Sequence, residues 1–172
     1  MPAATTEKAF RALLRVFGLV KRAMEPHFAR FGITGSQWGV LRALDRAEKE
    51  GLSDLRLTDL GDRLLVRPPS ITGVVGRLEH LGLVARRASR TDLRAKHVNF
   101  TPAGRKLVGR VLEVHRARIR TVLGGLSLKQ QGRLLALLNQ VAAHLQGLVE
   151  LQDGPTPSEP VARRRRKQRK NT

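Results

Sequence analysis

The sequence predicts a mainly α-helical fold that contains one small β-hairpin, and three observations carry this prediction. Apolar residues recur at spacings of three and four in several long segments, which is the period of an amphipathic helix. Glycine, proline and helix-capping residues separate these segments from one another. Near the middle of the chain, two strand-like runs flank a polar, turn-prone stretch, which is the pattern of a hairpin.

The composition excludes several classes of protein before any motif is considered. A chain of 172 residues, 41% of them apolar, is long enough for one domain with a real core and an appendage. The absence of cysteine excludes a disulfide framework, a zinc ribbon and a thiol redox sensor. Only five Phe and one Trp occur, which disfavours a base-stacking single-strand binder. The formal net charge of +19 indicates a polyanionic partner.

The N-terminal segment predicts two helices. A long one-faced helix is expected over residues 6–31, with Pro26 as a kink or local break and Gly32 as the residue that ends it. Thr34 and Gln37 have the spacing of a capping box, so a second helix should begin near Gly35.

The central segment predicts two short helices joined by a tight turn, which is the outline of a helix-turn-helix. Residues 55–57 are a short strand candidate, and Thr58 is expected to cap a brief helix after it. Residues 66–69, which include two prolines, break that helix. A new helix is expected from about Pro69 to Leu81, where Gly82 stops it.

The strand-like runs at residues 83–87 and 96–100 follow directly and predict the hairpin. Thr101 and Pro102 open a helix that should run to about Leu123. Ser127 and Gln130 form another capping box, which starts a last helix to about Glu150. This helix carries apolar residues at alternating spacings of four and three, the pattern of a helix–helix seam, and the seam packs on helices of this subunit or of a second one. The seam residues are Leu134, Leu138, Val141, Leu145 and Leu148.

The last twenty residues, 153–172, are predicted to be a disordered linker followed by a basic tail. The tail is interpreted as an arm that binds nucleic acid without sequence preference, or as a flexible end with no specific task. Residues 153–172 together carry seven positive and two negative charges, which leaves +14 on residues 1–152, so the folded part is itself basic. The tail residues assigned to non-specific DNA contact are Arg163, Arg164, Arg165, Arg166 and Lys167.

A helix-turn-helix followed by a basic hairpin is a winged helix, and the second short helix is its candidate recognition helix. One face of this helix is apolar, with Ile71, Val74, Val75, Leu78 and Leu81. The opposite side carries hydroxyl groups and glycines that would let the helix lie close to base edges, and an arginine that reaches phosphate. The alternative is that the glycines have no role in binding and only weaken a helix that tertiary packing holds in place. The DNA-contacting residues predicted for this helix and its approach are Arg67, Pro69, Ser70, Thr72, Gly73 and Arg77, with Gly76 on the same side.

The hairpin is interpreted as a wing that follows the DNA backbone and inserts an arginine into the minor groove. A basic loop is otherwise a solvated surface, but its place after a helix-turn-helix favours DNA. The one acid, Asp92, is expected to pair with an arginine and hold the loop in shape. The basic wing residues are Arg86, Arg87, Arg90, Arg94 and Lys96.

The ordered set of these motifs resembles the MarR family of regulators. Residues 32–41 (GITGSQWGVL) resemble the start of its second helix. Four motifs between residues 57 and 84 resemble the helix-turn-helix of the family: LTDL, PSIT, VGRLE and LGLV. Residues 91–96 (TDLRAK) and 100–104 (FTPAG) resemble its wing and the start of its fifth helix. The wing motif of the family is Asp-Arg-Arg, and Leu93 replaces its middle arginine here, so either Arg90 or Arg94 enters the minor groove.

The resemblance implies a homodimer bound to a pseudo-palindromic operator, with a small-molecule pocket between the DNA-binding lobe and the dimer helices. It places one domain over residues 1–152, with the DNA-binding lobe at about 55–100. The dimerisation helices then lie at about 6–31 and 102–150. Phe10, Leu14 and Phe17 join the seam of the last helix as the expected dimer contacts.

The function predicted from the sequence is a cytoplasmic, nucleoid-associated transcriptional regulator, a homodimeric repressor that a small-molecule effector releases. The alternative is an architectural or coating protein that binds DNA mainly by charge. No catalytic constellation or cofactor motif occurs, so an enzyme is not expected. The five histidines do not pair at three or four residues on a helix, so no metal site is expected either.

Overall fold

The structure is a computed structural model that describes residues 2–65, 68–88 and 96–153. It confirms a mainly α-helical fold with a small antiparallel sheet. Contacts between residues divide the chain into a first unit, Met1–Gly124, and a second unit, Gly125–Thr172. The elements are α1 Pro2–Ala29, α2 Gly35–Lys49, β1 Leu55–Arg56, α3 Leu57–Leu64, α4 Pro68–His80, β2 Val84–Ala88, β3 Lys96–Phe100, α5 Pro102–Val122 and α6 Leu128–Asp153.

The first helix is longer at its start than predicted, and it is not broken at Pro26. It begins at Pro2 and ends at Ala29. His27 and Phe28 are buried directly after the proline, and this packing holds the helical turn. Gly32, with a φ of 70°, ends the segment as predicted. The capping box of α2 is also confirmed, because the Gln37 N–H donates to Thr34 Oγ1 at 3.3 Å and the Thr34 N–H to Gln37 Oε1 at 2.7 Å.

The predicted start of α3 is wrong. The helix begins at Leu57, so Thr58 lies inside it and does not cap it. The Arg56 N–H donates instead to Asp59 Oδ2 at 3.1 Å, which satisfies a backbone donor of the first turn. Because Leu57 belongs to the helix, β1 has two residues and not three. Leu65, with a left-handed φ of 52°, ends α3.

The remaining boundaries differ from the predicted ones by a few residues. The helix predicted from about Pro69, α4, starts one residue earlier, at Pro68, and ends at His80 before Gly82, whose φ is 68°. Strand β2 is shifted by one residue, whereas β3 has the predicted bounds. In the second unit, α6 runs to Asp153, three residues beyond the predicted end.

The three strands form one antiparallel sheet in the order β1-β3-β2. The predicted hairpin is confirmed as the β2–β3 pair, in which Arg86 is opposite Val98 and Arg87 is opposite His97. Strand β1 pairs with the other edge of β3, with Leu55 opposite Val98. The loop of the hairpin, residues 89–95, lies outside the described residues.

The core of the first unit lies between α2, α3, α4, α5 and the sheet. Four residues of α4, Ile71, Val74, Val75 and Leu78, are buried in it. Each such side chain stabilises the fold by about 1.5–3 kcal/mol relative to exposure. Leu81, predicted on the same face, is half exposed because it lies beyond the last turn of α4. The core therefore fixes which side of α4 faces solvent.

Apolar side chains on α1 and α6 stay exposed within the single chain. On α1, Phe10, Leu14 and Phe17 expose 59%, 55% and 71% of their surface. On α6, the predicted seam residues Leu138, Val141, Leu145 and Leu148 are exposed and Leu134 is half-buried. Within the described ranges, no helix combines the length and hydropathy that crossing a membrane requires.

Two histidines meet where α1, α2 and α5 pack together in the first unit. His27 Nε2 lies 3.3 Å from His115 Nδ1, the two rings stack, and Phe28 and Trp38 border them. Burial lowers the pKa of His27 from its ordinary value of 6.5, and the charges of Arg118 and Arg30 lower it further. Burial, followed by His27 and Arg42, lowers the pKa of His115 in the same way.

These lowered pKa values predict that the folded protein loses stability in mild acid. A histidine whose pKa is lowered by folding binds its proton more tightly in the unfolded chain. The contribution of this pair to the free energy of unfolding should therefore be complete well above pH 6.5 and decrease as the pH falls through about 6.5. Urea unfolding at one fixed protein concentration, at several pH values between 5 and 8, measures it.

The variant His115→Phe should reduce this fall in the free energy of unfolding, because one of the two coupled groups no longer titrates. The matched control is His80→Phe, since His80 is exposed on α4 and takes part in none of these ring contacts. Equal pH profiles for the parent and His115→Phe would contradict the assignment of the effect to this pair.

Candidate nucleic-acid interface

The exposed side of α4 carries small side chains and one long cation. Ser70, Thr72, Gly73 and Arg77 are all exposed, as the sequence predicts. A Cβ added to Gly73 would have as its nearest neighbour Arg77 Nη1 at 3.8 Å, which is ordinary contact distance. The backbone of α4 is therefore uncovered here. A shallow groove along this side is lined by Gln37, Gly73, Gly76, Arg77, His80 and Leu81.

The chemistry of this side suits the floor of a DNA major groove. The groove is about 12 Å wide and admits one α-helix. Hydroxyl groups can donate to or accept from base edges, and an arginine can bind guanine or phosphate. Pro68 occupies the first helical turn, where a missing N–H costs nothing. Pro69 follows it in that turn, and Arg67 lies outside the described residues.

Arg86 of β2 is bound to α4. Its Nε donates to Glu79 Oε2 at 2.8 Å, and its backbone N–H donates to Glu79 Oε1 at 3.2 Å. Its side chain is 22% exposed. A Cβ added to Gly76 would lie 3.1 Å from Arg86 Nη2, closer than most real contacts. Gly76 thus makes room for this guanidinium, in contrast to Gly73, which is open.

Strand alternation explains why neighbouring arginines on β2 point in different directions. Successive side chains of a strand lie on opposite faces of the sheet. Arg86 is opposite Val98, which is buried, so it lies on the face towards α4. Arg87 is opposite His97 and is exposed. The sequence predicted the same DNA contact for both residues, whereas the structure separates their surroundings.

The outer face of the sheet carries one more basic residue, Arg56, which the sequence did not predict as part of the interface. Arg56 of β1 is also opposite His97, so Arg56, His97 and Arg87 share one face across three strands. His97 Nδ1 lies 2.7 Å from Asp54 Oδ1, a contact that orients the ring in the middle of this row. The signal that would identify Arg56 is the β1–β3 pairing, which is not a local pattern.

The other wing residues are only partly described. Lys96 is exposed at the start of β3. Arg90, Asp92, Leu93 and Arg94 lie outside the described residues, as do Arg163–Lys167 of the tail. Among residues 2–65, 68–88 and 96–153, no group of three or more His, Asp or Glu side chains is arranged to hold a metal ion.

A helix-turn-helix with an antiparallel wing and an uncovered second helix defines the winged-helix class. A family model described as the MarR family matches residues 31–95. The chain is 33% identical over 125 residues to the transcriptional activatory protein BadR of Rhodopseudomonas palustris, covering 72% of this chain and 68% of BadR. The chain therefore belongs to the MarR family of transcriptional regulators, which are DNA-binding proteins and not enzymes.

Solved structures of the same fold agree with this placement. AbsC, a MarR family transcriptional regulator from Streptomyces coelicolor, is 25% identical and has a TM-score of 0.73, with 83% of this chain and 95% of AbsC covered. A mutant MarR from E. coli complexed with operator DNA is 22% identical and has a TM-score of 0.70, with 76% of this chain and 91% of that chain covered. At 22% identity, the similarity to the E. coli structure shows a shared fold.

The Glu79–Arg86 pair predicts the direction in which two substitutions change the affinity for operator DNA. If Arg86 acts by holding β2 against α4, Glu79→Gln and Arg86→Gln should both weaken operator binding. The double variant should be little worse than either single one, with a coupling energy of about 0.5–3 kcal/mol. Fluorescence titration of labelled operator DNA measures all four affinities.

The control is Arg87→Gln, because Arg87 is exposed and enters no ion pair among the described residues. Its loss should weaken binding to every duplex alike and reduce the slope of log affinity against log salt by about 0.9. If Glu79→Gln strengthened binding, Arg86 would be a direct phosphate contact that the acid weakens.

Proposed function

We propose that this protein is a homodimeric regulator that binds duplex DNA by sequence and represses transcription until a small-molecule effector releases it. The observation that carries the proposal is the exposed side of α4, where small residues uncover the backbone while the opposite side is locked into the core. A DNA-bound regulator works at the chromosome, so we place it in the cytoplasm, on the nucleoid.

In this proposal, each part of the interface has a separate task. Ser70, Thr72 and Gly73 approach base edges, and Arg77 reaches a base or a phosphate. Arg67 and Pro69 lie at the approach to this helix. Arg56, Arg87 and Lys96 bind phosphates, and either Arg90 or Arg94 enters the minor groove while Asp92 holds the loop. Arg86 positions the wing. The likeness to a MarR fold solved with operator DNA supports duplex DNA as the partner.

The homodimer is supported by the apolar side chains that α1 and α6 leave in solvent. Each of these helices by itself exposes several large apolar side chains, and large exposed apolar patches are typical of protein–protein interfaces. Phe10, Leu14 and Phe17 of α1 are joined in the proposed interface by Leu134, Leu138, Val141, Leu145 and Leu148 of α6. A two-fold dimer would present two α4 helices, which explains a pseudo-palindromic operator.

The effector site is proposed at the junction of α1, α2 and α5. Arg118 donates from Nη2 to the carbonyl of Ala23, but its Nε is buried without a hydrogen-bond partner among the described residues. A buried donor without a partner is unfavourable. The neighbouring His27–His115 pair and Trp38 add aromatic surface. A small molecule with an acceptor group would satisfy Arg118 and could change how these three helices pack.

The second candidate function is an architectural protein that coats DNA mainly by charge. The net charge of +19 favours it, since a basic protein binds any duplex through its phosphates. Both candidates are salt-dependent, so salt dependence alone does not separate them. In both, we propose that Arg163–Lys167 of the tail add non-specific affinity.

The two candidates differ in their affinity for the promoter next to the protein's own gene. We expect that duplex to bind about 10³-fold or more tightly than a random duplex of equal length and base composition. The complex should contain two chains per operator. Fluorescence titration at one salt concentration measures the ratio, and a variant that ends at residue 152 should keep it while losing affinity for both duplexes. A ratio near one would establish the coating protein instead.

A further inference from the structure

Leu65 has an unusual backbone conformation in the turn between α3 and α4. Its φ of 52° lies in the left-handed region, and the residue ends α3. A residue of positive φ also follows α1, α2 and α4 within three positions, but in these places it is a glycine: Gly32, Gly51 and Gly82. Among the described residues, Leu65 is the one residue other than glycine with a positive φ. The chain therefore has a leucine at a kind of helix end where it otherwise has glycine.

Leucine is unfavourable at this position for two reasons. In the left-handed region a Cβ lies too close to the following carbonyl oxygen, so helix ends of this kind favour glycine or asparagine. Burial of the side chain could compensate for this strain, but Leu65 exposes 86% of its surface. Other leucines of α3 differ from it, since Leu60 is buried and Leu64 is half-buried. Leu65 thus strains the backbone and adds little to the core.

The strain at Leu65 indicates a role outside the folded chain. Residues held in sparsely populated backbone conformations cluster at functional sites. A residue that breaks a local rule without a gain in the folded chain is expected to be useful in a complex. The exposed part of a leucine is entirely apolar, so the group that it contacts in that complex must be apolar as well.

Leu65 lies beside the end of α4 that is proposed to approach base edges. Only residues 66 and 67 separate it from Pro68, the first residue of α4. Three residues of chain span at most about 11 Å, and a major groove is about 12 Å wide. The opposite end of α4, at His80, is about 18 Å from Pro68 along the helix axis. Leu65 is therefore close to the exposed Ser70 and far from the C-terminal end of α4.

We infer that Leu65 contacts the C5-methyl group of a thymine in the major groove and so contributes to sequence recognition. This inference rests on the proposed function, which is sequence-specific binding of duplex DNA. The thymine methyl is the apolar group that base pairs present in the major groove, whereas the other groups there are hydrogen-bond donors and acceptors. A leucine next to this methyl favours a T·A pair at one position of each half-site, in addition to the base edges that α4 approaches.

The test combines substitutions at Leu65 with the removal of single methyl groups from the DNA. Replacing one thymine of the promoter fragment by deoxyuridine removes its C5-methyl and keeps the base pair. Losing this contact should decrease the affinity of the parent about fourfold, which corresponds to about 0.8 kcal/mol for one buried carbon. Fluorescence titration of the full chain with each singly substituted duplex measures the decrease and identifies the thymine.

The variants Leu65→Ala and Leu65→Gly separate the contact from the strain, because alanine keeps the Cβ and glycine removes it. Both should bind the unmodified promoter fragment about fourfold or more weakly than the parent, and neither should respond to deoxyuridine at the identified thymine. Thermal unfolding should give a higher midpoint for Leu65→Gly than for Leu65→Ala, since a Cβ is strained at positive φ. A residue that is only a helix cap would instead give an affinity that follows this stability.

The matched control is Leu128→Ala, which shortens a leucine of the same 86% exposure at the start of α6. Its affinity and its response to each deoxyuridine should equal those of the parent. Two results would overturn the inference. One is a parent whose affinity no single deoxyuridine changes, and the other is a Leu65→Gly variant that responds at every thymine where the parent responds.

The same titrations distinguish this inference from the proposed function. A parent that binds the promoter fragment about 10³-fold more tightly than a random duplex, with no effect of the Leu65 variants, would support the sequence-specific regulator and refute the contact. A parent ratio near one would refute both, because a discriminating base contact requires a sequence-specific complex. A full parent ratio together with a lost response to deoxyuridine in both Leu65 variants would support both.

Discussion

The burial of one side of α4 is the constraint on which the rest of the interface depends. Ile71, Val75 and Leu78 are almost completely buried, and removing a large side chain from such a position typically costs about 2–5 kcal/mol. This packing sets the rotation of the helix about its own axis. Because the helical period is 3.6 residues, the same rotation turns Ser70, Gly73 and Arg77 towards solvent. The exposed surface of α4 that we propose for DNA recognition is thus a consequence of the core.

Because the chain has few acidic residues, only some of its Lys and Arg side chains form ion pairs and the others stay exposed. Its 14 acidic residues face 33 Lys and Arg residues, and several of the acids connect elements, as Glu79 connects α4 to β2 and Glu48 connects α2 to α5. These pairs link neighbouring elements and neutralise the arginines that take part in them. The cations that remain exposed lie on several elements, including α1, the sheet, α4, α5 and α6. Net charge alone would not distinguish Arg86 from Arg87, although one is bound to α4 and the other faces solvent.

Local signals in the sequence predicted most of the helices, and non-local contacts account for what they missed. The capping boxes at Thr34 and Ser127 are complete within four residues, so both helix starts were predictable. The pairing of β1 with β3 joins segments about 40 residues apart, and the His27–His115 contact joins residues 88 positions apart. Glu79 meets Arg86 only because the hairpin register turns that side chain towards α4. Pro26 indicates a break by its own chemistry, but the packing of the following turn overrides it.

We propose that the exposed side of α4 enters the major groove of duplex DNA. Dimethyl sulfate protection on a bound promoter fragment tests it directly, because this reagent methylates guanine N7 in the major groove and adenine N3 in the minor groove. We expect protected guanines in two clusters whose centres are about 10 base pairs apart, one for each subunit of a dimer. Guanines that stay reactive throughout the bound segment, with protection confined to adenines, would contradict it.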